Sequence, residues 1–331
     1  MIDPAPNRLE KLPRREREVW QGGLVRVPLW VTPPGTEPFR PWSGAWMSLQ
    51  SGKAHVGAPR TPAQKSPAQA LDALAEFAFD KEIAGYLPGS VEVSDTQVRE
   101  VLERALRPLG IRVVERVRLH GLEGVLDALA ESGNARVIPS PLEPRGVTVE
   151  RLASFAEAAR LFHKAAPWKR LGNEDLIRIE EPRDTGSMRH LLVMGAAGRE
   201  RGVMFFESAS VLDAILQGAD AQGRLDKEVR CSVFFGDITE LPLADADFFE
   251  DHRPSVAGPK AYPWAALIGP GRRVRRPGPQ ALGRIEAILR ALAVTTQREV
   301  GSGRWTRLVP SPDGAVKVTL ARGGDEQGDA S

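Results

Sequence analysis

Asp237, Glu240, Asp245, Asp247, Glu250, Asp251 and His252 crowd into sixteen residues. Carboxylates at that density, beside an imidazole, could ligate a hard divalent cation or divide the acid and base roles of a hydrolase. Asp237, Asp245, Asp247 and His252 are therefore the catalytic candidates. The competing reading is an acidic loop pinned to the core by Phe248 and Phe249, because Asp-x-Asp is a spacing that chance supplies often. A second cluster follows. Arg272, Arg273, Arg275 and Arg276 stand between Gly269-Pro270-Gly271 and Pro277-Gly278-Pro279. Four guanidiniums on a loop before a helix are candidates for anion binding, phosphate included. A solvated charge run is the alternative. No aromatic interleaves with these arginines, so single-strand binding there lacks its stacking component.

The remaining motifs are weaker. Gly195, Gly198 and Gly202 in GAAGRERG are spaced GxxGxxxG, not GxGxxG, and their flanks read as strands. A phosphate cradle runs from strand into helix. The glycines are expected to turn a hairpin, where they reach positive φ without steric cost. Gly52-Lys53 lacks the earlier glycine and the hydroxyl of a Walker A loop. Cys231 lies in an apolar run with no histidine near it in sequence, as a small buried hydrophobe would. Neither GxSxG nor HExxH occurs. His55, His120, His163 and His190 are scattered singly. No metal ligand set and no cofactor is assigned. Seven tryptophans accompany two tyrosines, and four of them fall within residues 20–46 among prolines. Core packing is expected for most. Trp42 and Trp46 are the candidates for a surface presented to a partner.

Pro167-Trp168 follows an alanine-rich helical stretch. Leu171, Glu174-Asp175-Leu176-Ile177, Glu181-Pro182, Gly186, Val193-Met194-Gly195, Gly198 and Gly202 come after it. This pattern, over about Phe155–Gly218 or roughly a fifth of the chain, resembles a family of bacterial proteins classed as a domain of unknown function. The first half, with Trp42, Trp46 and the stretch at 88–95, looks like the domain that often precedes it. The resemblance implies tandem α/β modules and transfers no catalytic residue. Ser208 to Ser210 depart from the family's usual glycine-ending strand exit.

The bulk composition bounds these readings. A chain of 331 residues exceeds what one core usually serves, so two domains are the default. Apolar residues at 42% and charged residues at 27% are ordinary for a globular protein. With 45 basic and 43 acidic side chains the net charge is +2. That balance creates no overall field for nucleic acid or an anionic membrane, and any such binding needs a local patch. One cysteine permits neither an intrachain disulfide nor a thiolate-rich zinc site, which fits a reducing compartment. Residues 1–17 lack the apolar core of a signal peptide. The apolar runs are far too short to span a bilayer. A cytoplasmic protein without a membrane partner is expected.

The elements expected to position these residues form two modules. Residues 1–20 read as a flexible arm, 21–140 as an N-terminal α/β domain, 141–322 as a C-terminal one, and 323–331 as a disordered tail. Ile138–Gly146, with three prolines, is the linker. Ser66-Pro67 with Gln69, and Ser94 with Gln97, read as helix starts. Strands at 90–93 and 111–117, separated by a helix, imply parallel pairing. Helices are expected over Leu152–Phe162, Val211–Leu216 and from Pro279. Asp313-Gly314 reads as a hairpin turn. The fold class is α/β, with α+β as the variant: two small mixed-sheet modules, each covered by helices. A shared strand–turn–helix order (Trp46–Gln50 to Leu74, and Leu191–Met194 to Leu216) hints that they are related.

The preferred function is a non-catalytic interaction or ligand-binding protein, with a protein or a small molecule as its partner. The alternatives are a metal-dependent hydrolase or phosphate-handling enzyme centred on 237–252, and nucleic-acid binding through 272–276.

Overall fold

The computed structural model describes residues 6–133, 138–172, 174–183, 188–196, 198, 200–209, 229–270 and 273–323. The chain divides into two compact units, Met1–Val137 and Ile138–Ser331. No described helix is long and apolar enough to cross a membrane.

The first unit runs α1 (Pro6–Leu9), β1 (Arg14–Arg26), β2 (Trp42–Ser48), β3 (Ala54–Val56), α2 (Ala68–Phe79), β4 (Leu87–Val93), α3 (Thr96–Leu106), β5 (Arg112–Glu115) and α4 (His120–Ser132). Its sheet has the order β3-β2-β1-β4-β5. β1, β2 and β3 pair antiparallel, whereas β1–β4 and β4–β5 are parallel. The parallel pair expected around α3 is thus present. The expected loose arm is not, because β1 already begins at Arg14. The Arg14 guanidinium donates to the carbonyls of Leu109 and Gly110 at 3.1 and 2.7 Å, tying the strand's start to the end of α3. α2 and α3 cover one face over Trp20, Trp46, Leu74, Phe77, Val91 and Leu102. α4 covers the other over Ala45, Leu119 and Leu122. At α2, Ser66 N–H donates to Gln69 Oε1 at 3.0 Å, the contact expected of that start. α3 differs: its cap is Asp95, whose carboxylate accepts from Val98 N–H at 2.9 Å, and not Ser94. A carboxylate at that position also meets the positive end of the helix dipole.

The second unit runs α5 (Val149–Ala165), β6 (Ile177–Glu181), β7 (His190–Met194), β8 (Gly202–Phe206), β9 (Arg230–Gly236), α6 (Leu243–His252), β10 (Tyr262–Ile268), β11 (Val274–Arg275), α7 (Pro279–Val294), α8 (Gln297–Gly301), β12 (Arg304–Val309) and β13 (Val316–Arg322). Its eight strands lie in the order β11-β10-β9-β8-β7-β6-β13-β12, and every described pair is antiparallel. The sheet expected to be mixed is antiparallel because each successive strand from β6 to β11 returns beside the last, and the β12–β13 hairpin closes against β6. α5 and α7 pack together over one face. There Phe162 of α5 stacks on Phe235 of β9, centroids 5.8 Å apart. The two sheets differ in strand number, order and direction. The hint that the modules are related is therefore a likeness of element order alone, and its helix over Val211–Leu216 lies outside the described residues. So do Val137 and the tail from 324 onward.

Candidate functional site

The acidic segment is not a loop. Residues 243–252 form α6, whose Phe248 and Phe249 are buried. Helical geometry separates the candidates that sequence placed together. Asp245 and Asp247 are two residues apart, so they point about 200° away from each other. Asp237 sits before the helix and caps a 3-10 turn, its Oδ1 accepting from Thr239 N–H at 3.1 Å while Glu240 closes a capping box. His252 is at the exposed end of α6, its ring 5.2 Å from that of Phe248. Among the described residues no three His, Cys, Asp or Glu side chains stand where they could hold a metal ion.

Asp245 turns inward and meets Arg276, a member of the other candidate cluster. Arg276 Nη1 donates to Asp245 Oδ1 at 3.1 Å, and Nη2 donates to Oδ2. Nη1 also donates to the Ala265 carbonyl at 3.0 Å, and Nε to that of Pro139 at 2.6 Å. Around the pair, Leu152, Phe155, Phe248, Phe249 and Leu282 help enclose a cavity of about 20 Å³. That volume admits about one water and no substrate. Burial pushes the Asp245 carboxyl up to about 6, against the opposing pull of the Arg276 charge. This lies above the value of about 3.9 in an unfolded chain. The folded protein therefore holds the proton more tightly. The stability so contributed is fully present below about pH 4 and is lost as pH rises through about 6. Asp245→Asn is expected to flatten this part of the pH–stability curve. Urea-unfolding midpoints between about pH 4 and 7 measure it, and an unchanged slope in the variant would place the proton elsewhere.

The arginine cluster is split by the alternation of an extended strand. Arg275, on β11, and Arg273 are exposed, while Arg276 is buried on Asp245. Arg272 lies outside the described residues. The expected four-guanidinium loop is thus short of Arg276, whose donors are committed to the interior. Trp46 is corrected as well: it is fully buried, and its Nε1–H donates to the Ala70 carbonyl at 2.7 Å. Trp42 is half-buried, with Lys65 Nζ 3.8 Å and Arg26 Cζ 4.9 Å from its ring. Cys231 is enclosed, and burial pushes its thiol up to about 12, so no thiolate forms near neutrality.

Several of the residues that carry the family resemblance are packing residues, and Gly186 lies outside the described residues. Gly195 (φ 130°) and Gly198 (φ 78°) turn the β7–β8 hairpin. A Cβ on Gly195 would stand 3.0 Å from the Trp168 indole, and one on Gly202 would stand 2.1 Å from the Val233 carbonyl oxygen. Trp168 in turn packs on Phe162 and on His163, ring centroids 5.8 and 5.3 Å away. Desolvation, and then the Arg201 charge, hold His163 below the usual imidazole range, so it is neutral at pH 7.

A roomier concavity opens elsewhere in the second unit. It is a cleft of about 520 Å³, within the range of small-molecule sites. Pro182-Arg183 at the end of β6, Gln280 and Arg284 on α7, and Ser311 and Asp313 in the β12–β13 turn form its polar walls. Arg284 Nη2 donates to the Met188 carbonyl at 2.9 Å, which anchors that guanidinium on one wall. Asp313 accepts from Arg151 Nη2 at 2.5 Å. Arg151 also faces Glu286, 3.8 Å away and fully buried, whose other carboxylate oxygen accepts from Ser154 Oγ at 2.8 Å. This chain of contacts fixes the α5–α7 pair behind the cleft. Gly278 gives α7 no side-chain cap. Sequence reasoning assigned none of these residues to a site, although it read Asp313 as a turn residue and Pro182 as part of the family pattern. The only local signal was Gln280 and Arg284, four apart on one helix face. Arg183 and Asp313 join them only because β13 pairs with β6.

Compared with curated proteins and with solved structures, the chain has no match. Two families do match, and both bear out the sequence resemblance. The chain carries in tandem a stretch similar to the family described as Domain of unknown function (DUF6930), over residues 6–130, and one similar to Domain of unknown function (DUF7309), over residues 153–274.

Proposed function

We propose that this is a non-catalytic ligand-binding protein whose second unit takes a small organic or inorganic anion in the cleft at the start of α7. The observation that carries the reading is the cleft itself: about 520 Å³, with Arg183 and Arg284 among its walls. Guanidiniums are the side chains best matched to carboxylate and phosphate. The hydrolase alternative loses its central carboxylate, since Asp245 is held by Arg276 beside a cavity about one water in size.

Calorimetric titration with inorganic phosphate tests the reading, with glucose as the neutral control. Phosphate is expected to bind and glucose not to. Arg284→Ala is expected to weaken phosphate binding about tenfold or more, the loss of one charged hydrogen bond. Equal affinity in Arg183→Ala and Arg284→Ala would move the site elsewhere. Turnover of p-nitrophenyl phosphate that disappears in Asp247→Asn would overturn the non-catalytic reading.

A further inference from the structure

We propose that the first unit carries a docking surface for single-stranded nucleic acid, built on Trp42 with Arg26, Arg60 and Lys65. Charge points there first. Residues 22–65 contain five basic side chains (26, 40, 53, 60 and 65) against one acidic, Glu37, in a chain that is otherwise nearly balanced. Arg40 is buried, with Nε donating to the Val27 carbonyl, and the other four are not. The sheet then gathers part of this charge into a row. Arg26 pairs with Trp42 across β1 and β2. Trp42 bridges Arg60 on its other side, each backbone N–H donating to the other's carbonyl at 2.8 and 2.7 Å. Directly paired residues share a sheet face, so Arg26, Trp42 and Arg60 project together. That face is the one under α2, because a Cβ on Gly44, two residues along β2, would strike the Gln69 carbonyl. The row lies at the rim where α2 begins, and Lys65 reaches over the Trp42 ring from there.

The rings decide the class of polyanion. Trp42 is half-buried, and so are Trp30 and Phe39 on the connection between β1 and β2, where Val31 bridges Phe39. Cations set against a partly open ring, as Arg26 and Lys65 are on Trp42, match a strand whose bases are unpaired, phosphate to cation and base to ring. An acidic polypeptide would satisfy the cations alone. On binding, the Lys65 ammonium leaves the Trp42 ring for a phosphate, and a base takes its place. This surface shares no residue with the cleft or with the arginine loop of the second unit.

Fluorescence anisotropy of a labelled twenty-nucleotide oligothymidylate with the full chain tests the proposal. With phosphate contacts from Arg60 and Lys65 the affinity is expected to fall about sevenfold between about 50 and 200 mM NaCl. Trp42→Ala is expected to weaken binding about tenfold. Arg60→Glu with Lys65→Glu, both exposed positions, is expected to weaken it at least as much while leaving the circular dichroism and Tm unchanged. That charge variant decides the matter if Trp42→Ala fails to fold. Absence of binding in low salt, or full affinity in the charge variant, overturns the proposal. Equal affinity for duplex of the same length removes the role of the rings, and equal affinity for polyglutamate assigns the surface to an acidic polypeptide; either result overturns it too.

Discussion

Arg276→Ala is expected to destabilise the second unit by about 3–5 kcal/mol, the cost of leaving a buried charge without its partner. The guanidinium does three things at once: it neutralises Asp245, donates to the Ala265 carbonyl and donates to that of Pro139. Its removal strands the carboxylate beside Phe155 and Phe248. The stranded group will take up a proton instead, so the loss should be smaller near pH 5 than near pH 8. Replacing both partners, as Asp245→Leu with Arg276→Met, should recover most of the stability, because the desolvation of two charges disappears with them. It should not recover all of it, since two backbone carbonyls still lack their donor. Urea unfolding of the wild type, Asp245→Leu, Arg276→Met and the double variant closes the cycle. A cost below about 1 kcal/mol for Arg276→Ala would mean that water reaches the pair.

That ion pair also shows where sequence reading stops. Asp245 and Arg276 were each picked out, but as members of separate acidic and basic clusters. They are 31 positions apart, and nothing local says that one removes the other from the surface. Regular elements were easier to read. α5 and α7 carry apolar residues at helical spacing, and Asp313-Gly314 turns the β12–β13 hairpin with Gly314 at φ 112°. Two elements escaped for identifiable reasons. The first four residues of β1 read as a charged arm because Arg14 to Arg17 are all charged and exposed; pairing with β4, not side-chain burial, makes the start of this segment a strand. α6 read as a loop because acidic residues fall on several sides of it, and only packing shows which of them turns inward. The cleft was illegible because its walls come from three separated segments.

Trp46→Ala is expected to cost the first unit about 3–5 kcal/mol, as for other large aromatic side chains removed from a core. The indole is fully enclosed, so a cavity remains, and the Ala70 carbonyl loses its donor. Its counterpart is Gly22, the residue directly across from it on β1. A Cβ on Gly22 would come within 2.2 Å of the Trp46 ring. Gly22 is not among the glycines with positive φ, so sterics alone exclude a side chain there. Gly22→Ala alone should therefore destabilise by about 1–3 kcal/mol or more, through overpacking. In the Trp46→Ala background the clash with the ring is gone, while the Ala45 carbonyl oxygen still stands 2.5 Å from the same Cβ, so only part of the cost should vanish, a coupling of about 1 kcal/mol. Strict additivity in thermal or urea unfolding would refute the lock between these two positions. The same experiment separates the two tryptophans that sequence treated alike. Trp42, half-buried with cations on its ring, should lose less stability on truncation than Trp46 does, which leaves its side chain free for the surface role that Trp46 cannot fill.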